Sequence, residues 1–254
     1  MRRNISVPAS LLPYLDALRL PYRWLVRQEA VVLVAAFAIV LALLGFVKLA
    51  GEVREGETRS FDEWALNLAR RADDPARLIG PPWLAESVTD VTALGSPTVL
   101  IIVLLSSMGY MVLRNRYDEA ALVSVASAGG AVLSAGLKEL FGRGRPDIVP
   151  HLVHVNSLSF PSGHSTEAMV IYLTLGALLA RFAVRRAVRV YLIANALTLT
   201  LLIGVSRICL GVHYPTDVLA GWSVGLMWAL LCWLGARYLQ YRGAVEAPAS
   251  QKAK

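Results

Sequence analysis

Cysteine is scarce in this 254-residue chain, which has only Cys209 and Cys232. They lie 23 positions apart in or beside apolar runs, so neither a disulfide nor a C-x-x-C redox or metal pair is expected. Histidine is nearly as sparse, with four residues and no H-E-x-x-H spacing, which denies a catalytic zinc its usual ligands. Acids are outnumbered, 18 Asp and Glu against 25 Lys and Arg. Magnesium or calcium needs several converging carboxylates, and few stand where the polar residues gather. No metal and no other cofactor is therefore expected. The basic residues form no continuous stripe but flank apolar runs, which argues against nucleic acid as a partner and for lipid headgroups. No internal repeat of solenoid period is present.

Hydrophobic residues are what the chain has in quantity. They make up 56%, with mean hydropathy +0.54, too apolar for an ordinary soluble domain. Six apolar runs, at 30–49, 98–113, 120–141, 165–184, 188–205 and 218–238, approach or reach the roughly 20 residues that cross a bilayer core. The second is the shortest. The fold class is accordingly all-α, an integral-membrane bundle of six transmembrane helices. Gly129, Gly130 and Ser134 in the third run, and Thr174 and Gly176 in the fourth, are small enough to let these helices approach closely inside the bundle.

Around this domain, 29–241, lie two flanking segments. Residues 1–28 mix Trp24 with Arg19, Arg23 and Arg27 and read as a cytoplasmic interfacial segment. A signal peptide is the rival reading, but the run that follows is longer than an h-region, so an uncleaved anchor is expected. Residues 242–254 are polar and rich in Ala, Pro and Ser, and are expected to be a disordered tail. The loop 51–95 carries Trp64, Trp83 and Leu84, so part of it is expected to lie as a helix along the outer interface. Fifteen Lys and Arg fall on the side of the termini, while the loop 51–95 has five against nine acids. That bias places both termini in the cytoplasm.

Three polar stretches then share the outer face: "KELFGRGRP" (138–146) closing run three, "PSGHS" (161–165) opening run four, and "SRICLGVHYPTD" (206–217) between runs five and six. They hold Lys138, Arg143, Arg145 and Arg207 on the side where the positive-inside bias would not put them. Cations exceed acids there, and guanidinium forks suit a phosphate. Ser162 and Gly163 precede an apolar helix, so their N–H groups are expected to add an anion-binding helix N-terminus. Gly142, Gly144 and Pro146 prevent the third helix from continuing, which lets Arg145 curl back towards Lys138. His213 is four residues before Asp217 with Pro215 between, so the carboxylate can fix one ring nitrogen and leave the other free to attack phosphorus. His164, on another helix, is placed to protonate a leaving oxygen.

Together, Lys138-x6-Arg145-Pro146, Pro161-Ser162-Gly163-His164 and Ser206-Arg207-x5-His213-x3-Asp217 closely resemble the three signature motifs of the type-2 phosphatidic acid phosphatase superfamily. The resemblance implies His213 as nucleophile forming a phosphohistidine, Asp217 as its partner and His164 as general acid. Lys138, Arg145, Ser162, Gly163 and Arg207 would hold the phosphoryl oxygens. It also implies a metal-independent membrane enzyme, with a site similar to that of vanadium haloperoxidases. The expected activity is hydrolysis of a lipid phosphate or pyrophosphate, of the phosphatidic acid, phosphatidylglycerophosphate or undecaprenyl pyrophosphate class, at the outer face of a plasma or inner membrane. Phosphotransfer to another lipid or a sugar, and a non-catalytic lipid-binding or transport role, are the alternatives. Arg143 lies inside the first motif but not at a fixed position, so it is expected to support the site from behind. His151 and His154 are expected to be loop residues near headgroups, and Glu167 an ordinary first-turn acid that would also bear on His164.

Overall fold

The structure, a computed structural model, describes residues 30–242. The expected interfacial segment 1–28 and the tail beyond 242 lie outside the described residues. Eight helices and no strand occur among the described residues: α1 (Ala30–Glu55), α2 (Arg59–Leu68), α3 (Pro82–Ala93), α4 (Pro97–Leu113), α5 (Tyr117–Phe141), α6 (Gly163–Phe182), α7 (Arg186–Cys209) and α8 (Pro215–Tyr241). Five of them, α1, α5, α6, α7 and α8, are long and apolar enough to cross a membrane.

The sixth span differs from the sequence expectation. Helix α4 has only 17 residues, and it continues α3 across a break bent by 47°, so a sixth crossing exists only if the bent pair counts as one. The cause is local. Pro97 at the first helical turn has no N–H to continue the α3 ladder, and Ser96 caps the new helix by accepting from the Val99 N–H at 3.4 Å. Gly95 at the bend sits so close to Ile203 that a Cβ would meet it at 2.4 Å.

Helix α6 is the centre of the bundle, packed against α5, α7 and α8, while α1 packs on α8. Small residues make these approaches, as the sequence predicts. A Cβ on Gly176 would stand 2.9 Å from the Ala196 methyl of α7, and one on Gly225 of α8 would stand 2.7 Å from the Thr166 carbonyl of α6. Gly129 receives the Trp228 ring, whose Nε1–H donates to the Ala126 carbonyl at 2.8 Å. Outside this core, α1 leaves Leu33, Val34, Phe37 and Leu44 exposed, the face a lipid-facing helix presents. Both cysteines are free thiols.

Two terminations set up the site. Helix α5 ends at Gly142, whose left-handed φ of 58° lets its N–H cap the Lys138 carbonyl at 2.9 Å and turns the chain back. Helix α8 begins with Tyr214 as cap and Pro215 in the first turn, as the sequence predicts.

Candidate active site

The three motifs meet at one end of the bundle, where α5 and α7 end and α6 and α8 begin. His213 and Asp217 form its floor, 1% and 0% exposed, with Arg207 beside them at 3%. Lys138, Arg145, Gly163 and His164 are half-buried and form its mouth.

Asp217 occupies the third position of α8, and its Oδ2 accepts the Tyr214 N–H at 2.9 Å, so the helix start itself fixes the carboxylate. The same oxygen accepts the Ser159 hydroxyl and lies 3.4 Å from His213 Nδ1. With Nδ1 facing a carboxylate, the proton of a neutral ring belongs there and Nε2 carries the lone pair. Nε2 faces Arg145 Nη1 at 3.3 Å. Burial pushes the His213 imidazole down to about 4, although Asp217 pulls the other way, so the ring is neutral at pH 7.

Lys138 and Arg145 converge by gripping successive carbonyls. Lys138 Nζ donates to Leu158 O at 2.6 Å, and Arg145 Nε donates to Ser157 O at 2.7 Å. Arg145 also donates from Nη2 to Ser157 Oγ at 3.0 Å and from Nη1 to Val212 O at 2.6 Å, which ties the first motif to the third. Arg207 Nη1 donates to Thr92 Oγ1 at 2.9 Å, while its buried Nε has no partner among the described residues. His164 lies in the field of Arg207, His213, Arg145 and Lys138, and its ring leans on Gly95 at the α3–α4 bend.

One expectation needs correcting. Ser162 is the cap of α6, but its N–H does not point towards an anion: it donates to the Asp217 carbonyl at 2.9 Å. The serine is fully buried, and its hydroxyl accepts from Ser165 Oγ at 3.0 Å. The N–H groups of Gly163, His164 and Ser165, the first three of the helix, are the ones without an intrahelical carbonyl.

Several residues at the site lie outside the fixed positions of the motifs. Arg143 bridges two carboxylates, Asp217 Oδ1 at 2.6 Å and Asp62 Oδ2 at 2.8 Å, with its guanidinium over the Tyr214 ring at 4.2 Å. These partners outweigh the burial that works against its charge and hold its pKa above the usual value. Phe160, next to Ser159, is completely buried against Phe141 and Phe46, ring centroids 4.8 and 6.0 Å away. Gly211, at φ 74°, packs on Arg70 from the loop after α2. Of these, only Arg143 is expected from the sequence, as a support behind the site. His151 and His154 stay outside the cluster; His151 Nε2 lies 2.7 Å from Pro146 O.

Known proteins similar to this chain establish its family. The family model described as the PAP2 superfamily matches residues 119–241. A Bacillus subtilis protein named phosphatidylglycerophosphatase B is 37% identical over 188 residues, 72% of this chain and 87% of that protein. A Rhizobium johnstonii lipid A 1-phosphatase is 34% identical over 48% of this chain and 54% of its own length. The crystal structure of a transmembrane PAP2-type phosphatidylglycerolphosphate phosphatase from Bacillus subtilis superposes with a TM-score of 0.71 at 31% identity, covering 79% of this chain and 96% of that one. Motifs, helical bundle and relatives coincide: the chain belongs to the PAP2 superfamily and is a multi-pass membrane phosphatase.

Proposed function

We propose that this phosphatase hydrolyses a lipid phosphate or pyrophosphate without a metal, through a phosphohistidine on His213, at the outer face of the membrane. The observation that carries the reading is the two-sided setting of the His213 ring. Nδ1 lies against Asp217, and Nε2 faces the Arg145 guanidinium. A phosphoryl group held by Arg145, Lys138, Arg207 and the α6 N-terminus would present its phosphorus to Nε2. The lone pair forms the N–P bond as the P–O bond to the lipid breaks, and His164 supplies the proton that leaves with the lipid oxygen. Water then attacks phosphorus, His164 takes its proton, and phosphate departs to regenerate the imidazole. The buried Nε of Arg207, which has no partner among the described residues, is the kind of donor an anionic ligand completes. Developing charge on the equatorial oxygens is what three fixed cations stabilise most.

The outer placement is supported by the basic residues Arg114, Arg116, Arg181, Arg185, Arg186 and Arg189, which lie at the opposite end of the bundle from the site. Phosphatidylglycerophosphate is the first substrate to try, because a relative matching 72% of the chain is named for it. Phosphatidic acid and undecaprenyl pyrophosphate complete the panel. Release of inorganic phosphate in detergent with excess EDTA tests the chemistry. Activity abolished by EDTA refutes the metal-free route, and full turnover by His213→Ala refutes the nucleophile. Vanadate, a phosphate-like oxyanion, is expected to inhibit.

A further inference from the structure

Asp62 stands outside every motif named above, on helix α2, to which no part in the reaction has yet been given. Its carboxylate is completely buried, and a carboxylate out of water persists only when donors meet its lone pairs. Four donors do. Oδ1 accepts the Thr216 N–H at 3.1 Å; Oδ2 accepts the Thr216 hydroxyl at 2.7 Å, Arg143 Nη2 at 2.8 Å and the Thr58 hydroxyl at 3.2 Å. Thr216 immediately precedes Asp217, and its hydroxyl also accepts from Arg143 Nη1 at 2.8 Å. Helix α2 thus holds the first turn of α8 at the residue beside the partner of His213.

The guanidinium fork makes this more than a brace. A free arginine beside a carboxylate prefers to donate both forks to the same pair of oxygens. Were Arg143 to do so, it would compete with His213 Nδ1–H and Ser159 for Oδ2 of Asp217. Asp62 takes Nη2 away, leaving only Nη1 on Oδ1 of Asp217, while Tyr214 stacks on the guanidinium. We infer that Asp62 is a positioning residue for phosphoryl transfer: it holds Arg143 on one oxygen of Asp217 and so reserves the other for the ring of His213. The inference rests on His213 being the nucleophile. It assigns the loop between the first two membrane helices a part in turnover that the three motifs do not contain.

A double-mutant cycle separates this from a merely structural role, using phosphate release from short-chain phosphatidic acid in detergent. Asp62→Asn keeps the size and an acceptor for Thr216 but removes the charge that holds Nη2. It is expected to lower kcat about tenfold or more with KM within about threefold. On an Asp217→Asn background the same substitution is expected to cost less than about twofold, because the path through which it acts is already gone. Asp62→Glu, which retains the charge but displaces the carboxylate, carries the same cycle if the Asn protein does not fold, with the same non-additive loss expected. Wild-type kcat in a folded Asp62→Asn protein, or losses that multiply in the double variant, would overturn the inference while the phosphatase reading stood. A wild-type protein inactive on every lipid phosphate, or an active His213→Ala, would overturn that reading and take this one with it.

Discussion

Gly221 tests whether the distance between α6 and α8 sets the rate. It lies one turn into α8 beyond Asp217, and a Cβ there would stand 2.7 Å from the Ser162 carbonyl, 2.9 Å from the Ser165 Cβ and 3.2 Å from Thr166 Oγ1. Ordinary contact begins near 3.4 Å, so Gly221→Ala must push the helices apart by about 0.7 Å. The carbonyl it strikes is backbone at the α6 cap and cannot rotate away. The displacement falls between His164 on α6 and the start of α8, where Asp217 lies in the first turn and His213 just before it; the proposed attack and protonation need these groups in register. A 1 Å misplacement of reacting groups costs on the order of 100-fold, so kcat is expected to fall roughly 10- to 100-fold. Stability is expected to fall by about 1–3 kcal/mol, the usual effect of overpacking. The control is Gly235→Ala on the same helix, where a Cβ meets nothing within 4 Å. That variant should be neutral or more stable by up to about 1 kcal/mol, since alanine favours helix over glycine. Phosphate release and thermal midpoint in detergent read both effects. Wild-type kcat in Gly221→Ala would show that the bundle absorbs the strain without moving the site, and the claim that helix spacing controls the chemistry would fail.

Other consequences are equally direct. Burial holds His213 at about 4, below its ordinary 6.5, so the unfolded chain takes up a proton first as pH falls. Stability is therefore expected to decline between pH 6.5 and about 4, by about 3 kcal/mol from this group, and a His213→Gln protein should show a correspondingly shallower slope in its thermal midpoint. Arg145→Lys should lose about 100-fold in kcat/KM, because one ammonium cannot hold Ser157 and Val212 and also face Nε2 of His213; a loss below threefold would remove Arg145 from the site. Gly211→Ala combines a left-handed φ of 74° with a Cβ 2.5 Å from Arg70 Nη2. It should cost about 1–3 kcal/mol and slow turnover by disturbing the chain two residues before His213, as melting and phosphate release together would show.

Much of the site could be read from the chain because it depends on local geometry. Four residues with a proline between them bring His213 and Asp217 together at any helix start, and two glycines and a proline after Lys138 end α5 whatever surrounds it. The apolar runs likewise predict α1, α5, α6, α7 and α8, since about twenty apolar residues need no partner to declare a span. Run two is less legible: it fills only the 17-residue α4, which joins α3 at a bend made by Gly95 and Pro97.

What only the folded chain decided are the contacts between residues far apart in sequence. Asp62 meets Arg143 across 81 positions, Arg207 meets Thr92 across 115, and Ser159 meets Asp217 across 58. No periodicity records such pairings, because a polar residue in a loop looks the same whether it faces water or a buried guanidinium. The Ser162 N–H illustrates the same limit: helix position alone aimed it at a ligand, but the packing of α6 on α8 gave it the Asp217 carbonyl. Sequence determined which groups are the candidates for the chemistry, because their spacing along single elements is fixed by helix geometry; tertiary packing decided which oxygens and nitrogens each of them faces, because those partners arrive from other helices.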